Sequence, residues 1–179
     1  MNKIKCAICT LALVVSAGAQ ASTDGKVTFS GALLAETCSV VESSKDITVS
    51  LPKIAIQRLV KDGDQAGSTT FDIQVENCPE GFTKVAAHFE AIVNEGFDPA
   101  TGNLKNSAPA EPAPAKNVQV RLYNIDDSKP IAMGQTGHFF PIDATTHKST
   151  MTYAGGYYAT GATAAGPVRA QVQYVLAYP

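Results

Sequence analysis

The chain has 179 residues with nearly balanced charge, 14 Lys and Arg against 16 Asp and Glu, and it contains no tryptophan. Because this mildly acidic composition includes no basic cluster, it argues against nucleic acid and anionic membrane surfaces as partners. The length is sufficient for one domain with its own hydrophobic core.

The first 21 residues predict a secretory signal peptide. Lys3 and Lys5 form a positive start, residues 6–15 form an apolar run, and residues 19–21 (Ala-Gln-Ala) match a small-residue cleavage site. The apolar run is too short to cross a bilayer, which takes about 20 residues. Cleavage after residue 21 leaves residues 22–179, with 12 basic against 16 acidic residues and a net charge of −4.

The four cysteines divide between the signal and the exported chain. Cys6 and Cys9 have the Cys-x-x-Cys spacing of a redox or metal motif, but they are expected to leave with the signal peptide. Cys38 and Cys78 remain, and in an oxidising compartment they most simply form one disulfide. Closing a loop of about 40 residues stabilises a fold by roughly 4 kcal/mol in the chain-entropy model.

Short β-rich stretches with glycine and proline turns between them follow one another along the exported chain. No segment has a convincing helical period, although residues 54–60 are ambiguous. About seven short antiparallel strands favour an all-β, immunoglobulin-like sandwich, and the lack of tryptophan argues against an antibody-like core. The predicted strands lie near residues 26–35, 46–51, 70–77, 83–93, 117–124, 150–159 and 167–178.

Two local patterns in the middle of the chain predict irregular structure. Phe71, Ile73 and Val75 alternate with polar residues, and strict continuation would place Cys78 on the polar face, so a bend or bulge is expected before Cys78. Residues 107–115 contain three prolines and few large apolar side chains. They predict an exposed loop between two strands, with a ligand for a proline-recognising domain as the alternative.

The last fourteen residues carry a long period-two pattern. From residue 168 to residue 178, every even position is apolar, so one face of this segment is built for burial. That face consists of Val168, Ala170, Val172, Tyr174, Leu176 and Tyr178.

Gly166, fourteen positions from the end, and the penultimate Tyr178 resemble the C-terminal signature of chaperone–usher fimbrial subunits of the type 1 and P-like pilin family. Residues 25–31 (Gly-Lys-Val-Thr-Phe-Ser-Gly), Cys38 and the stretch ending at Cys78 follow in matching order. The resemblance implies an incomplete immunoglobulin-like Greek-key β-sandwich that lacks its final strand and is completed by a donor strand from another subunit. The implied organisation is a signal peptide over 1–21, a donor-strand extension over 22–31 and a pilin domain over 32–179.

The same resemblance implies roles for both ends of the chain. Gly25, Val27 and Phe29 would form the donated face, while the segment from Gly166 to Tyr178 would border the groove and pair with a periplasmic chaperone. The implied partners are identical or related pilin subunits, the chaperone, an outer-membrane usher and a host receptor glycan bound through the fibre tip, with no nucleic acid. The implied location is the surface fimbria. The alternative for residues 22–31 is an edge strand of their own domain.

The sequence predicts neither an enzyme nor a cofactor. His88 is expected on the exposed face of a strand, and His138 and His147 in turns or at the surface, without metal-ligand spacing. The acidic turns, Asp126-Asp127 and Asp62-Gly63-Asp64, lack the rest of a calcium loop. The predicted function is a structural fimbrial subunit. A carbohydrate-binding adhesin, a minor tip or adaptor subunit, and a small exported enzyme are the alternatives.

Overall fold

The computed structural model describes residues 25–92 and 96–179, so the predicted signal peptide and residues 22–24 of the predicted extension lie outside the described residues. These residues belong to two units, with the boundary between Leu33 and Leu34, which are treated separately. In the first unit, residues 25–33 form no helix or strand, and the side chains of Val27 and Phe29 are 78% and 92% exposed. The strand predicted over 26–35 is therefore wrong in this structure.

Nearly all of the regular secondary structure described in the second unit is antiparallel strand. Its helical elements in the described part are the four-residue helix α1 (Glu42–Lys45) and a 3-10 turn (Ile56–Arg58), which lies in the stretch whose sequence was ambiguous. No helix among the described residues is long and apolar enough to span a membrane. The strands are β1 (Ser39–Val40), β2 (Gln65–Glu76), β3 (Lys84–Glu90), β4 (Leu104–Lys105), β5 (Lys116–Asn124), β6 (Pro130–Ile131), β7 (Gln135–Thr136), β8 (Phe140–Pro141), β9 (Ser149–Ala164) and β10 (Gln173–Ala177).

The strands form two sheets. The larger sheet has the order β1-β2-β9-β5-β4, with β6 also paired to β5, and the smaller has the order β10-β3-β7, with β8 also paired to β3. The registers place Ile73 of β2 opposite Met151 of β9, and Leu176 of β10 opposite Ala87 of β3. Apolar side chains on the inner faces of both sheets meet in one core, as expected for a sandwich.

Tyr153 takes the central place in this tryptophan-free core. Its fully buried ring packs edge-on against Phe89 and Phe140, with centroid distances of 5.1 and 5.5 Å. Its hydroxyl accepts a hydrogen bond from the Ala87 N–H and donates one to the His138 carbonyl, both at 3.0 Å. Burial raises the pKa of Tyr153 to about 12.

Besides the strand predicted over 26–35, two other predictions need correction, and the remaining four of the seven predicted strands are confirmed by β2, β3, β5 and β9. The prediction over 46–51 is wrong, because this segment belongs to no strand. The predicted terminal strand over 167–178 is shorter than expected, because only Gln173–Ala177 pairs in a sheet. The bend expected before Cys78 is confirmed: β2 ends at Glu76, and Asn77 adopts a left-handed conformation (φ 52°) that turns Cys78 into the core.

Candidate functional site

The segment after α1 has the burial pattern of a strand but pairs with no strand in the described part of the chain. Ile47, Val49 and Leu51 are half-buried, whereas the intervening Thr48 and Ser50 are exposed. Alternation of this kind is typical of an extended chain with one face turned toward a core. The segment therefore presents an apolar face at the side of the core although it joins neither sheet.

The terminal segment has the matching pattern. Between its half-buried apolar residues lie Arg169, Gln171 and Gln173, all exposed, so the predicted alternation is confirmed. None of the apolar residues on the predicted face is fully buried, which sets this face apart from the inner face of β3. All six of them are of intermediate exposure: Val168, Ala170, Val172, Tyr174, Leu176 and Tyr178.

Two tyrosine hydroxyls connect these two segments in antiparallel order, and farther along both segments pack against the same buried cluster. The Cys38 N–H donates to the Tyr178 hydroxyl at 2.8 Å, and the Tyr174 hydroxyl donates to the Ser44 carbonyl at 2.6 Å. Farther along, Ile54 and Val168 pack in one cluster. Within the described chain, no backbone ladder joins the two segments. We call the space between residues 38–54 and residues 168–178 the open groove.

Tyr174 spans the open groove with its side chain and one hydrogen bond to the Ser44 carbonyl. Paired strands lie about 4.8 Å apart, so a strand removed from between two neighbours leaves them about 9.6 Å apart. A tyrosine side chain and one hydrogen bond cover a similar length, and this is how Tyr174 reaches Ser44. Burial raises the pKa of Tyr174, so this hydroxyl remains a neutral donor over the ordinary pH range.

The backbone of β10 offers an unpaired edge to the open groove. The carbonyls of Ala87 and Phe89 in β3 accept from Gly137 and Gly134, on the side away from β10. Backbone N–H and C=O groups of successive residues in a strand point to opposite sides. Those of His88 therefore point toward β10, where His88 is paired with Val175. The N–H and C=O groups of Tyr174 and Leu176 consequently point the other way, into the groove.

A pocket lies at one end of the open groove. Its volume is about 480 Å³ and its lining is mostly apolar. Both walls of the groove contribute to it, because Ile54 comes from one and Val168 from the other. We call it the end pocket; its apolar lining includes Ile54, Ile56, Leu59, Val118, Tyr157 and Val168.

The predicted disulfide anchors the opposite end of the open groove. Cys38 and Cys78 are bonded, with a Cα–Cα distance of 4.0 Å, and both are buried. Because the Cys38 N–H bonds Tyr178, the disulfide also fixes the last aromatic residue, whose ring lies 4.6 Å from that of Phe82. One wall is thereby joined covalently to the chain just after β2 and by a hydrogen bond to the terminal segment.

Gly166 lies where two backbone segments touch. A Cβ atom built on it would be 2.5 Å from the Ala113 carbonyl oxygen and 2.6 Å from the Pro114 carbonyl carbon. The proline-rich stretch is the predicted loop, here between β4 and β5, and it packs directly on the start of the terminal segment. The sequence did not predict this contact, because nothing in either segment identifies the other.

The histidines occupy ordinary structural positions. His88 is half-buried on β3 and bonds Thr136 Oγ1 at 2.9 Å, and His138 contacts Asp126 at 2.8 Å on the surface. His147 is in a turn with φ of 55°, and its ring Nδ1–H donates to the Cys78 carbonyl at 3.1 Å, so it supports the disulfide region. In residues 25–92 and 96–179, no group of three or more His, Cys, Asp or Glu could hold a metal ion.

Comparison with known proteins agrees with this geometry. The model of the fimbrial protein family matches residues 27–179. The chain is 38% identical to the F17 fimbrial protein of Escherichia coli, with 99% of each chain covered. It is 32% identical to the major fimbrial subunit SMF-1 of Stenotrophomonas maltophilia, covering 88% of this chain and 94% of that one.

Solved structures show the same fold at low sequence identity. A chain of a chaperone–usher pilus superposes with a TM-score of 0.60 at 16% identity, covering 87% of this chain and 96% of that one. The P pilus rod subunit PapA also gives 0.60, at 14% identity, with 80% of this chain and 100% of that one covered. The chain therefore belongs to the fimbrial protein family and is a structural, non-enzymatic subunit of a surface fimbria with the chaperone–usher pilin fold.

Proposed function

We propose that the open groove receives the N-terminal extension of another subunit, residues 22–31, and that this exchange links subunits into the fibre. The observation that carries the proposal is the pair of half-buried apolar faces with an unpaired strand edge between them. An exposed apolar groove beside free backbone groups favours strand addition. The occupant must bring alternating apolar side chains and its own backbone hydrogen bonds.

The extension has this chemistry. Val27 and Phe29 are exposed in the first unit and share one face of an extended chain with Gly25, while Lys26 and Thr28 take the other face. Burying the two apolar side chains contributes about 1.5–3 kcal/mol each, and each new backbone hydrogen bond about 0.5–1.5 kcal/mol. Gly25 adds no side chain and suits a close approach of backbones.

The resemblance to chaperone–usher pilins implies two further partners, and the exposed groove gives the first of them a role before assembly. A subunit carrying an open apolar groove needs a temporary occupant, and we assign this role to a periplasmic chaperone that pairs with β10. An outer-membrane usher would then exchange chaperone for donor strand. A receptor glycan bound through the fibre tip stays a prediction from the sequence.

Deleting residues 22–29 tests the donor role. We expect the secreted variant to bind chaperone as the unaltered chain does, since its groove is intact, but to form no fibres. The matched control is Thr28→Ala, which alters only the face that stays exposed and should leave fibre formation unchanged. Electron microscopy of the cell surface and co-purification with the chaperone give the two readouts. Normal fibres from the deletion variant would refute the donor role.

A further inference from the structure

The side chain of Asn106 uses all four of its hydrogen-bonding positions to join three backbone segments. Its Oδ1 accepts from the N–H groups of Ala108 and Arg169, at 3.1 and 2.9 Å. Its Nδ2 donates to the carbonyls of Ala115 and Pro167, both at 3.0 Å. If the amide were rotated by 180°, its NH₂ group would face two backbone N–H groups and its oxygen would face two carbonyls. The four partners therefore fix the orientation of the amide.

These bonds hold the proline-rich loop, residues 107–115, against the start of the terminal segment. The contact is extended by the Ala115 N–H, which donates to the Pro167 carbonyl at 3.0 Å, and by the Ser107 N–H, which donates to the Arg169 carbonyl at 2.7 Å. Among the described residues, no sheet partner holds the terminal segment at this level, because β10 begins at Gln173. The loop thus takes the place of a neighbouring strand.

The joined backbones form one wall of the end pocket. Ala115 from the loop and Pro167 from the terminal segment both line it, and Asn106 Nδ2 bridges the carbonyls of these two residues. Asn106 itself is not part of the lining. Losing the bridge would remove two of the hydrogen bonds that hold the wall while leaving the lining side chains unchanged.

We propose that Asn106 is a positioning residue for strand exchange, which keeps the end pocket formed before the donor segment of a second copy arrives. This inference rests on the proposed function of the open groove. If the pocket is formed in only a fraction of the molecules, the observed capture of the donor peptide is reduced by that fraction. A pocket that is formed in about one molecule in ten therefore captures the peptide about tenfold more slowly. Preorganisation of this kind acts on capture, whereas the finished core gains little from it.

The test measures how fast the full chain, held by its chaperone, captures a fluorescent peptide of residues 22–33. Asn106→Asp keeps the oxygen that accepts from Ala108 and Arg169 but loses the donor to Ala115 and Pro167. We expect it to lower the capture rate about tenfold. Asn117→Asp is the matched control: it also loses one amide donor, to the Ala162 carbonyl, outside the pocket lining. Its capture rate should stay within about twofold of the unaltered chain.

A stability measurement separates positioning from folding. In a self-complemented chain, with residues 22–33 moved behind Pro179 on a short linker, Asn106→Asp and Asn117→Asp should have equal denaturation midpoints. Ser107→Ala is a milder second variant, because it loses the hydroxyl bond to the Arg169 carbonyl but keeps the backbone bond. It should slow capture less than Asn106→Asp does.

Each outcome decides one question. Equal capture rates for Asn106→Asp and the unaltered chain overturn the positioning role, and so does a midpoint lowered in Asn106→Asp but not in Asn117→Asp. Slower capture with equal midpoints supports it. Failure of the unaltered chain to capture any peptide overturns the donor-strand function itself.

Discussion

Tyr178 shows how a single side chain can serve both the core and the groove. Its ring packs against Phe82, and its hydroxyl accepts the buried N–H of Cys38 at 2.8 Å. A buried N–H group without an acceptor lowers the stability of the fold by more free energy than an average hydrogen bond adds, because the group cannot bond to water instead. The penultimate tyrosine therefore needs its oxygen as well as its ring.

We expect Tyr178→Phe to lower the free energy of unfolding of the self-complemented chain by about 1–3 kcal/mol, because the Cys38 N–H loses its acceptor. Urea denaturation followed by fluorescence or circular dichroism gives the value. Tyr157→Phe is the control, since it removes an exposed hydroxyl bond of 3.2 Å to the Pro52 carbonyl and should cost less than about 0.5 kcal/mol. If the two variants lost the same unfolding free energy, the hydrogen bond to the Cys38 N–H would contribute no more to stability than an exposed one.

Among the elements, the close approach of the proline-rich loop and the terminal segment makes a second prediction. Gly166→Ala would place a methyl group against the backbone of residues 113–115, which has no flexible side chain to move aside. We expect a loss of about 1–3 kcal/mol in unfolding free energy, the usual cost of overpacking. The quantity to measure is the urea midpoint of the self-complemented chain.

Gly155→Ala is the matched control for that change. Its added Cβ would lie 3.6 Å from Leu122 Cδ2, an ordinary contact, and Gly155 is not among the glycines with positive φ. Its stability should be unchanged or should rise by up to about 1 kcal/mol, because alanine restricts the unfolded chain more than glycine does. A Gly166→Ala variant as stable as Gly155→Ala would mean that the loop does not press on the terminal segment.

The sequence predicted the faces of these elements better than their pairing. Alternation in residues 168–178 correctly identified the side chains that turn inward, since side-chain direction is a local property of an extended chain. Whether an extended segment joins a sheet depends on a partner elsewhere, and for 46–51 the structure provides none. The Asn106 contacts were beyond sequence reasoning for the same reason, because Asn106 and Pro167 are 61 positions apart.

At the scale of the whole molecule, the residues that form the buried core are different from the residues that line the open groove. The fully buried core around Tyr153 lies between the two sheets, whereas the residues lining the open groove stay half-exposed along both walls. The extension carries Val27 and Phe29 exposed in the first unit. Stability and assembly are thus expected to depend on the same event, filling of the groove.

Two single substitutions in the self-complemented chain test which face of the extension enters the open groove. They distinguish insertion of the Val27 and Phe29 side chains from backbone pairing with the edge of β10 alone. Phe29→Ala should lower the unfolding free energy by about 3–5 kcal/mol, as for a phenylalanine removed from a core. Lys26→Ala lies on the opposite face and should change it by less than about 0.5 kcal/mol. Denaturant titration of both variants gives these values. If both effects are small, Phe29 does not enter the groove; if Lys26→Ala is the costlier change, the strand binds with its faces reversed, since a one-residue slip exchanges the two faces.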